Sequence, residues 1–372
     1  MPGGSFGATA LLVAVQHANR EMIDALLEAG GDINTRSHWW AGGFGVLDSE
    51  HGLTDFLIAR GAVVNAHAAA RLGRLDRLRE LVSADPSLVH ARGGDGQTPL
   101  HFSANVPVAA YLLEQGADID AIDIDHESTP AQWMVSDRQE VARYLVSRGC
   151  RTDLLMVTAL GDLPRVRAHL DADPGCIRMT VSETWFPKRN PQSGGTIYNW
   201  TLDSDATAHR IARRSGQAEV FALLLDRSPD DLKLAVACEL ADEALFRDLV
   251  ARGSRLGASL SEEDQRKLPN AARDNNLASV RMFLAAGWPV NARGQHHGEA
   301  ALHWAAFHGN PEMVRAVLEY GPDLELLDRE YRGTALGWCQ YGSQHGWHPE
   351  RGDYGEALML LRAAGATELR EQ

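Results

Sequence analysis

Thr98-Pro99-Leu100-His101 opens a helix by separate pieces of chemistry, and its pattern returns at Ala300-Ala301-Leu302-His303. A threonine at a helix head accepts from orphan backbone N–H groups. A proline just inside the first turn sacrifices no hydrogen bond, because its N–H would be unpaired there anyway. Leucine and the small residues after it form a buried face. Each block runs on to a second amphipathic stretch that ends in leucine and glycine, Tyr111-Leu112-Leu113-Glu114-Gln115-Gly116 and Val317-Leu318-Glu319-Tyr320-Gly321. The glycine supplies the positive φ that stops a helix, and the Asp and Asn residues beyond it favour a tight turn. Self-similarity at a period near 33 residues predicts a stack of helix pairs, each burying its face against its neighbours.

These blocks resemble ankyrin repeats in a divergent form. The resemblance implies an all-α solenoid of about ten to eleven helix-turn-helix units. Further units are read at Thr9–Gly30, at Phe56–Ala62 (badly degraded), at His67–Val82, at Ser128–Gly149 and at Leu155–Leu170. Later ones follow at Thr207–Leu225, Leu234–Gly253, Ala271–Gly287 and Thr334–Ala366, the last as a C-terminal cap. Residues 1–372 are read as a single solenoid, with an N-terminal block 1–177, an insertion 178–206 and a C-terminal block 207–372.

A chain of 372 residues exceeds one ordinary compact core, a limit that a solenoid escapes. No apolar run reaches the length of a membrane span, and no secretory leader pattern opens the chain. The formal charge of −14 argues against nucleic acid as a partner, since phosphate binding needs a basic face. Cys150, Cys176, Cys238 and Cys339 lack metal-ligand spacing. Buried free thiols in a reducing cytoplasm are expected.

Three segments break the helix-pair pattern, and five of the nine tryptophans lie in them. They are His38–Gly45 with Trp39 and Trp40; residues 178–206 with Trp185, Tyr198 and Trp200; and Tyr341–Tyr354 with Trp347. Exposed tryptophan suits stacking on a ligand, and loops on a rigid scaffold commonly carry function. The competing reading is that each tryptophan pins its own loop to the stack. Arg178, Lys188, Arg189, Arg210, Arg213 and Arg214 cluster in sequence around the second segment. They form either a site for an anionic group or ordinary ion pairs with Glu183, Asp203 and Asp205.

The family resemblance places Arg71, Leu72, Phe307, His308 and Tyr341 toward the concave groove. It makes His101 and His303 structural, bonding the neighbouring finger, and Trp133, Trp304 and Trp338 core. No dinucleotide, phosphate-loop or nucleophile-elbow motif is complete. His345 and His348 stand three apart in a Gly- and Pro-containing stretch with no third ligand, so no metal and no cofactor is assigned.

The leading expectation is a scaffold that binds another protein through its groove and fingers, with no membrane and no nucleic-acid partner. Its binding residues are Trp39, Trp40, Trp185, Lys188, Arg189, Tyr198, Trp200, Phe307, His308, Tyr341, His345 and Trp347. The alternative is a site for a small polar, sugar-like or anionic ligand, or an enzyme. Its acid–base groups would come from Asp48, Glu50, Glu183 and Asp353, with His345 as an alternative base.

Overall fold

Short polar side chains start the helices and glycines stop them. Asn65 accepts from Ala68 N at 2.9 Å and Thr207 from Arg210 N at 3.1 Å, ahead of the helices Ala66–Arg71 and Ala208–Arg214. Asn105, Asn276 and Asn310 cap second helices in the same way. Gly116, Gly149 and Gly287 follow helix ends at φ of 89°, 94° and 91°, a backbone conformation that costs glycine little. The computed structural model describes residues 7–48, 52–253, 260–295 and 297–367. Among these are 21 α-helices and no strand, with one isolated antiparallel bridge between Thr180 and Thr207.

Contacts divide the chain into two compact units, Met1–Phe221 and Ala222–Gln372. In the first, helix pairs such as Ala66–Arg71 with Leu75–Ala84 and Leu154–Leu160 with Leu163–Ala172 pack side by side. In the second, Lys267–Arg273 packs on Ala301–Phe307, which packs on Ala335–His345. The partner helices Leu277–Ala285, Pro311–Leu318 and Tyr354–Ala363 pack on one another in turn. Leu302, Val314, Leu336 and Leu361 are among the side chains buried between them, each worth about 1.5–3 kcal/mol against exposure.

The histidines of the repeated blocks lock successive fingers. His101 accepts from Thr98 N at its Nδ1 (3.1 Å) and donates from Nε2 to Ser128 O (3.2 Å). His303 does the same between Ala300 N and Gly333 O. Burial pushes the His101 imidazole down to about 3, so it works as a neutral strut.

Tryptophan gives the fingers a second lock. The Trp133 indole donates to Asp123 Oδ2 (2.8 Å), Trp304 to Glu299 Oε1 (3.0 Å) and Trp338 to Asp328 Oδ2 (3.0 Å). All four cysteines are buried and free. Burial drives the Cys150, Cys238 and Cys339 thiols up to about 12, which removes thiolate reactivity.

The three irregular segments are ordered by specific contacts. In the first, Arg36 donates to Gly43 O (2.9 Å) and pairs with Asp48 (3.0 Å), while Ser37 and Phe44 exchange two hydrogen bonds. In the second, Val181 N bonds to Ala206 O (3.0 Å) and Asp205 N to Val181 O (2.9 Å), which closes the ends together. The third differs from the loop expected from sequence. Tyr341 to His345 form the last turn of the helix Ala335–His345, and Pro349–Arg351 forms a short turn before Tyr354–Ala363. Gly342 does not break that helix but lets it pack closely. A Cβ there would lie 2.4 Å from Phe307 O.

Candidate functional site

A cleft of about 490 Å³ opens in the first unit beside the finger 92–97. Phe44 comes from the first irregular segment, Arg71 and Leu72 from the end of the helix Ala66–Arg71, and Trp133, Asp137 and Arg138 from the next repeat but one. Asp48 and Asp95 also face it. Arg71 and Leu72 thus line this cleft. Arg138 is held by donation to His101 O at 2.8 Å and Arg71 by Leu47 O at 3.3 Å. Asp48 is held too, accepting from Gly45 N at 2.7 Å and from Arg36. Its role is to close the 36–48 segment, and a carboxylate so committed is a poor general base.

One wall of this cleft belongs to a buried polar cluster. Asp95 has a left-handed backbone (φ 54°), and its carbonyl oxygen accepts from Ile124 N (2.8 Å) and Asp125 N (3.1 Å) of the following finger. This brings the Asp95 carboxylate 3.8 Å from His126 Nε2, while Asp125 lies 3.6 Å from the same nitrogen. Asp95 is 6% exposed, and its Oδ1 takes no hydrogen bond of normal geometry from any described group. Burial raises the Asp95 carboxyl to about 6. The carboxylates of Asp125 and Asp123 add to this, and His126 and the Trp39 indole oppose it. Burial raises Asp123 as well, against hydrogen bonds from Trp133 and the backbone of His126 and Ser128.

The second irregular segment closes over this cluster. Gly194 N bonds to Asp125 O (2.9 Å), Ser193 Oγ to the same oxygen (2.5 Å), and His126 Nδ1 meets Gly195 O at 3.1 Å. The Trp200 ring packs edge-on against His126 at 4.6 Å while the residue stays 61% exposed. Glu127 accepts from the backbone N–H groups of Arg189 (2.8 Å) and Asn190 (2.7 Å). A smaller hollow of about 260 Å³ lies here, with Trp185, Lys188 and Arg189 on one side and His126 and Gln132 on the other.

The residues expected from sequence separate into three groups. Trp39 and Trp200, from different segments, both reach the Asp95–His126 cluster, and Trp40 lies beside Trp39 at 6.3 Å. Trp185, Lys188 and Arg189 share the smaller hollow, where Lys188 pairs with Glu183 at 3.2 Å. Arg210 and Arg214 line a different hollow, with Arg214 paired to Asp203, and Arg213 lies over the Phe221 ring. The run of basic residues is therefore not one anion site. Tyr198 is fully buried and donates to Asp153 Oδ2 at 2.8 Å, so it offers no face to a ligand. Glu50 lies outside the described residues.

The third group belongs to the second unit. Trp347, 58% exposed, packs on Trp304, Phe307 and His308 with ring centroids 5.4–5.5 Å apart. Tyr341 is 60% exposed, and its ring lies 4.7 Å from His345. His308 Nε2 meets Arg273 O at 2.8 Å, and burial lowers its pKa. Asp353 caps the final helix, accepting from Glu356 N at 2.9 Å, which is a structural duty.

Sequence reasoning missed Asp95, Asp125 and His126. Their donors come from two successive fingers, and His126 is oriented by Gly195 from a third place in the chain. The adjacent Asp125-His126 pair and the Asp95-Gly96 turn sequence were the available signals.

Comparison with known proteins agrees with the helix stacking. Residues 66–155 match a family model described as ankyrin repeats (three copies), residues 268–318 one described as ankyrin repeats (many copies), and residues 6–35 a single ankyrin repeat. The chain belongs to the ankyrin-repeat proteins. It is 22% identical over 255 residues to E3 ubiquitin-protein ligase KEG of Arabidopsis thaliana, covering 64% of this chain and 16% of that protein. Against putative palmitoyltransferase ZDHHC13 of Danio rerio it is 29% identical over 140 residues, 32% of this chain and 20% of the relative. Against probable E3 ubiquitin-protein ligase XBOS32 of Oryza sativa subsp. japonica it is 42% identical over 94 residues, 24% and 18% respectively. The chain therefore spans a fifth or less of these relatives. No helix among the described residues is long and apolar enough to cross a membrane.

Proposed function

We propose that this chain is a binding scaffold for another protein, and that the second unit presents the anchors. Ankyrin repeats generally mediate such contacts. The observation that carries the reading is the exposed aromatic surface of Tyr331, Tyr341 and Trp347, with Trp347 seated on Phe307 and His308. Large exposed aromatics on a rigid base are efficient anchors, because little side-chain entropy is lost on binding. Glu330, paired with His297 at 2.5 Å, and Glu350, paired with Arg351 at 3.5 Å, both keep exposed side chains. Aromatic faces next to carboxylates suit a partner segment that offers arginine or lysine beside apolar residues. The helix pairs form about ten to eleven repeats in this reading, and residues 178–206 are an insertion among them. Buried free thiols fit a cytoplasmic setting.

The test is a Tyr341→Ala/Trp347→Ala variant, whose side chains are mostly solvent-exposed. A partner cross-linked to the wild-type chain is identified, and its affinity is measured by calorimetry. A loss of tenfold or more, about 1.4 kcal/mol, is expected. Unchanged affinity for every such partner removes this surface from the proposal.

The cleft of the first unit favours a second reading, a site for a small polar ligand. Phe44, Phe102 and Trp133 supply apolar walls, and Arg71, Asp137 and Arg138 supply charges of both signs. Thermal-shift screening of metabolites against wild type and Asp137→Asn separates this reading from the scaffold alone.

A further inference from the structure

We propose that Asp95, Asp125 and His126 of the first unit bind a first-row divalent metal ion, with Zn²⁺ the best match. This goes beyond the scaffold reading and does not depend on it. The donor atoms of the three residues all lie within 4.8 Å of one another, and all three residues are buried.

The hydrogen bonds around His126 determine what its second nitrogen can be. Nδ1 meets Gly195 O at 3.1 Å. A carbonyl only accepts, so Nδ1 carries a proton, and without a second proton the ring turns the lone pair of Nε2 toward two carboxylates. That arrangement is repulsive unless a positive charge lies between them. A proton on Nε2 is badly placed for the task. The carboxylate oxygens stand at 3.6 and 3.8 Å, outside the usual range of about 2.7–3.2 Å for such a bond. A metal ion spans the gap. Donors about 2.1 Å from one ion, at angles of about 120–130°, are separated by these same distances.

Three further features agree. Asp95 is 6% exposed with its Oδ2 turned toward His126 Nε2, and a buried carboxylate is costly without a compensating positive charge. Donation of the outer ring N–H to a backbone carbonyl is how metal-bound histidines are usually oriented. Two carboxylates and one neutral imidazole balance a divalent charge, and would relieve the repulsion between Asp95, Asp123 and Asp125. The mixed nitrogen and oxygen donors suit Zn²⁺ and its first-row neighbours. Mg²⁺ and Ca²⁺ favour oxygen throughout. Three protein donors leave a position for water or a ligand oxygen, and Asp95 also faces the 490 Å³ cleft. Bound metal would tie the finger bearing Asp95 to the next one and, through His126 and Gly195, to the 178–206 segment.

The test uses the full chain, stripped with chelator, dialysed and titrated with ZnCl₂ by calorimetry, with melting temperature as a second readout. Asp95→Asn is the decisive variant. It keeps the shape and removes a buried charge. Wild type should take up one Zn²⁺ and melt higher with it. Asp95→Asn should bind at least about tenfold more weakly, while its metal-free form melts at or above the metal-free wild type. Asp125→Asn, which keeps an acceptor for Gly194 N, should behave likewise. A His345→Ala/His348→Ala variant should titrate as wild type does. The proposal is overturned if wild type takes up no Zn²⁺. It is also overturned if Asp95→Asn and wild type give the same isotherm, or if the site disappears with His345 and His348.

Discussion

Replacing Tyr198 by phenylalanine tests whether the 178–206 segment is part of the first unit or an appendage to it. The Tyr198 ring is fully buried, and its hydroxyl donates to Asp153 Oδ2 at 2.8 Å. Asp153 in turn accepts from Met156 N at 2.9 Å, capping the helix Leu154–Leu160, and from Gln132 Nε2 at 3.4 Å. Phenylalanine keeps the ring and its edge-on contact with Phe186 at 5.3 Å, so no cavity opens. What is lost is one hydrogen bond to a buried carboxylate, about 1.5–3 kcal/mol. For a unit of this size about 2 kcal/mol lowers the melting temperature by about 4–8 °C.

The pH dependence of that loss has a definite sign. Burial already raises the Asp153 carboxyl, against the Tyr198, Gln132 and Met156 hydrogen bonds that favour its charged form. Removing the hydroxyl raises it further. A carboxyl whose folded pKa is raised holds its proton longer in the folded state, so its penalty appears as pH rises above the unfolded value and is relieved on acidification. The deficit of Tyr198→Phe should therefore be greatest near pH 7 and shrink toward pH 5. Urea unfolding followed by tryptophan fluorescence at both pH values reads it, and a double-mutant cycle with Asp153→Asn isolates the pair. A deficit under about 0.5 kcal/mol at pH 7, or one that grows on acidification, refutes the reasoning.

Other outcomes follow from the same contacts. His101, pushed down to about 3 by burial, refuses a proton that the unfolded chain accepts below about 6.5. Its share of stability is intact at pH 7, falls by about 2 kcal/mol by pH 5 and continues to fall toward pH 3. His101→Gln should flatten urea midpoints over pH 7–5 by one proton, and an unaltered slope contradicts the assignment. Trp304→Ala opens a cavity and leaves the buried Glu299 carboxylate without its indole donor. It should cost about 3–5 kcal/mol, whereas Trp347→Ala at an exposed site should cost under about 1 kcal/mol; equal losses in calorimetric melting count against the packing described. Gly42→Ala puts a Cβ 2.1 Å from Gly93 O at a φ of 136°. It should free the 38–48 segment to limited proteolysis, and unchanged cleavage contradicts that docking.

Much of the helical framework was legible in local patterns. The capping threonines and asparagines, the terminating glycines and the block histidines act within a few residues, so their order in the chain states their role. His101 and His303 bond the neighbouring finger as the resemblance implies, and Trp304 and Trp338 are core. The irregular segments were legible only as interruptions. Sequence could not show that Tyr198 turns inward to Asp153, that Asp353 is spent as a helix cap, or that Tyr341 and His345 continue a helix, because each outcome depends on a neighbour distant in sequence.

The family, the helical class and the way each helix begins and ends were written in short-range chemistry, where one side chain answers a backbone group three or four residues away. Tertiary structure decided which excursions meet. It set Asp95 against His126 through a left-handed turn whose carbonyl accepts from Ile124 N and Asp125 N, and it brought Gly195 across to orient the ring. Such a cluster has no sequence spacing of its own, because its distances are set by the stacking of successive fingers and by the closure of a segment whose ends are zipped together.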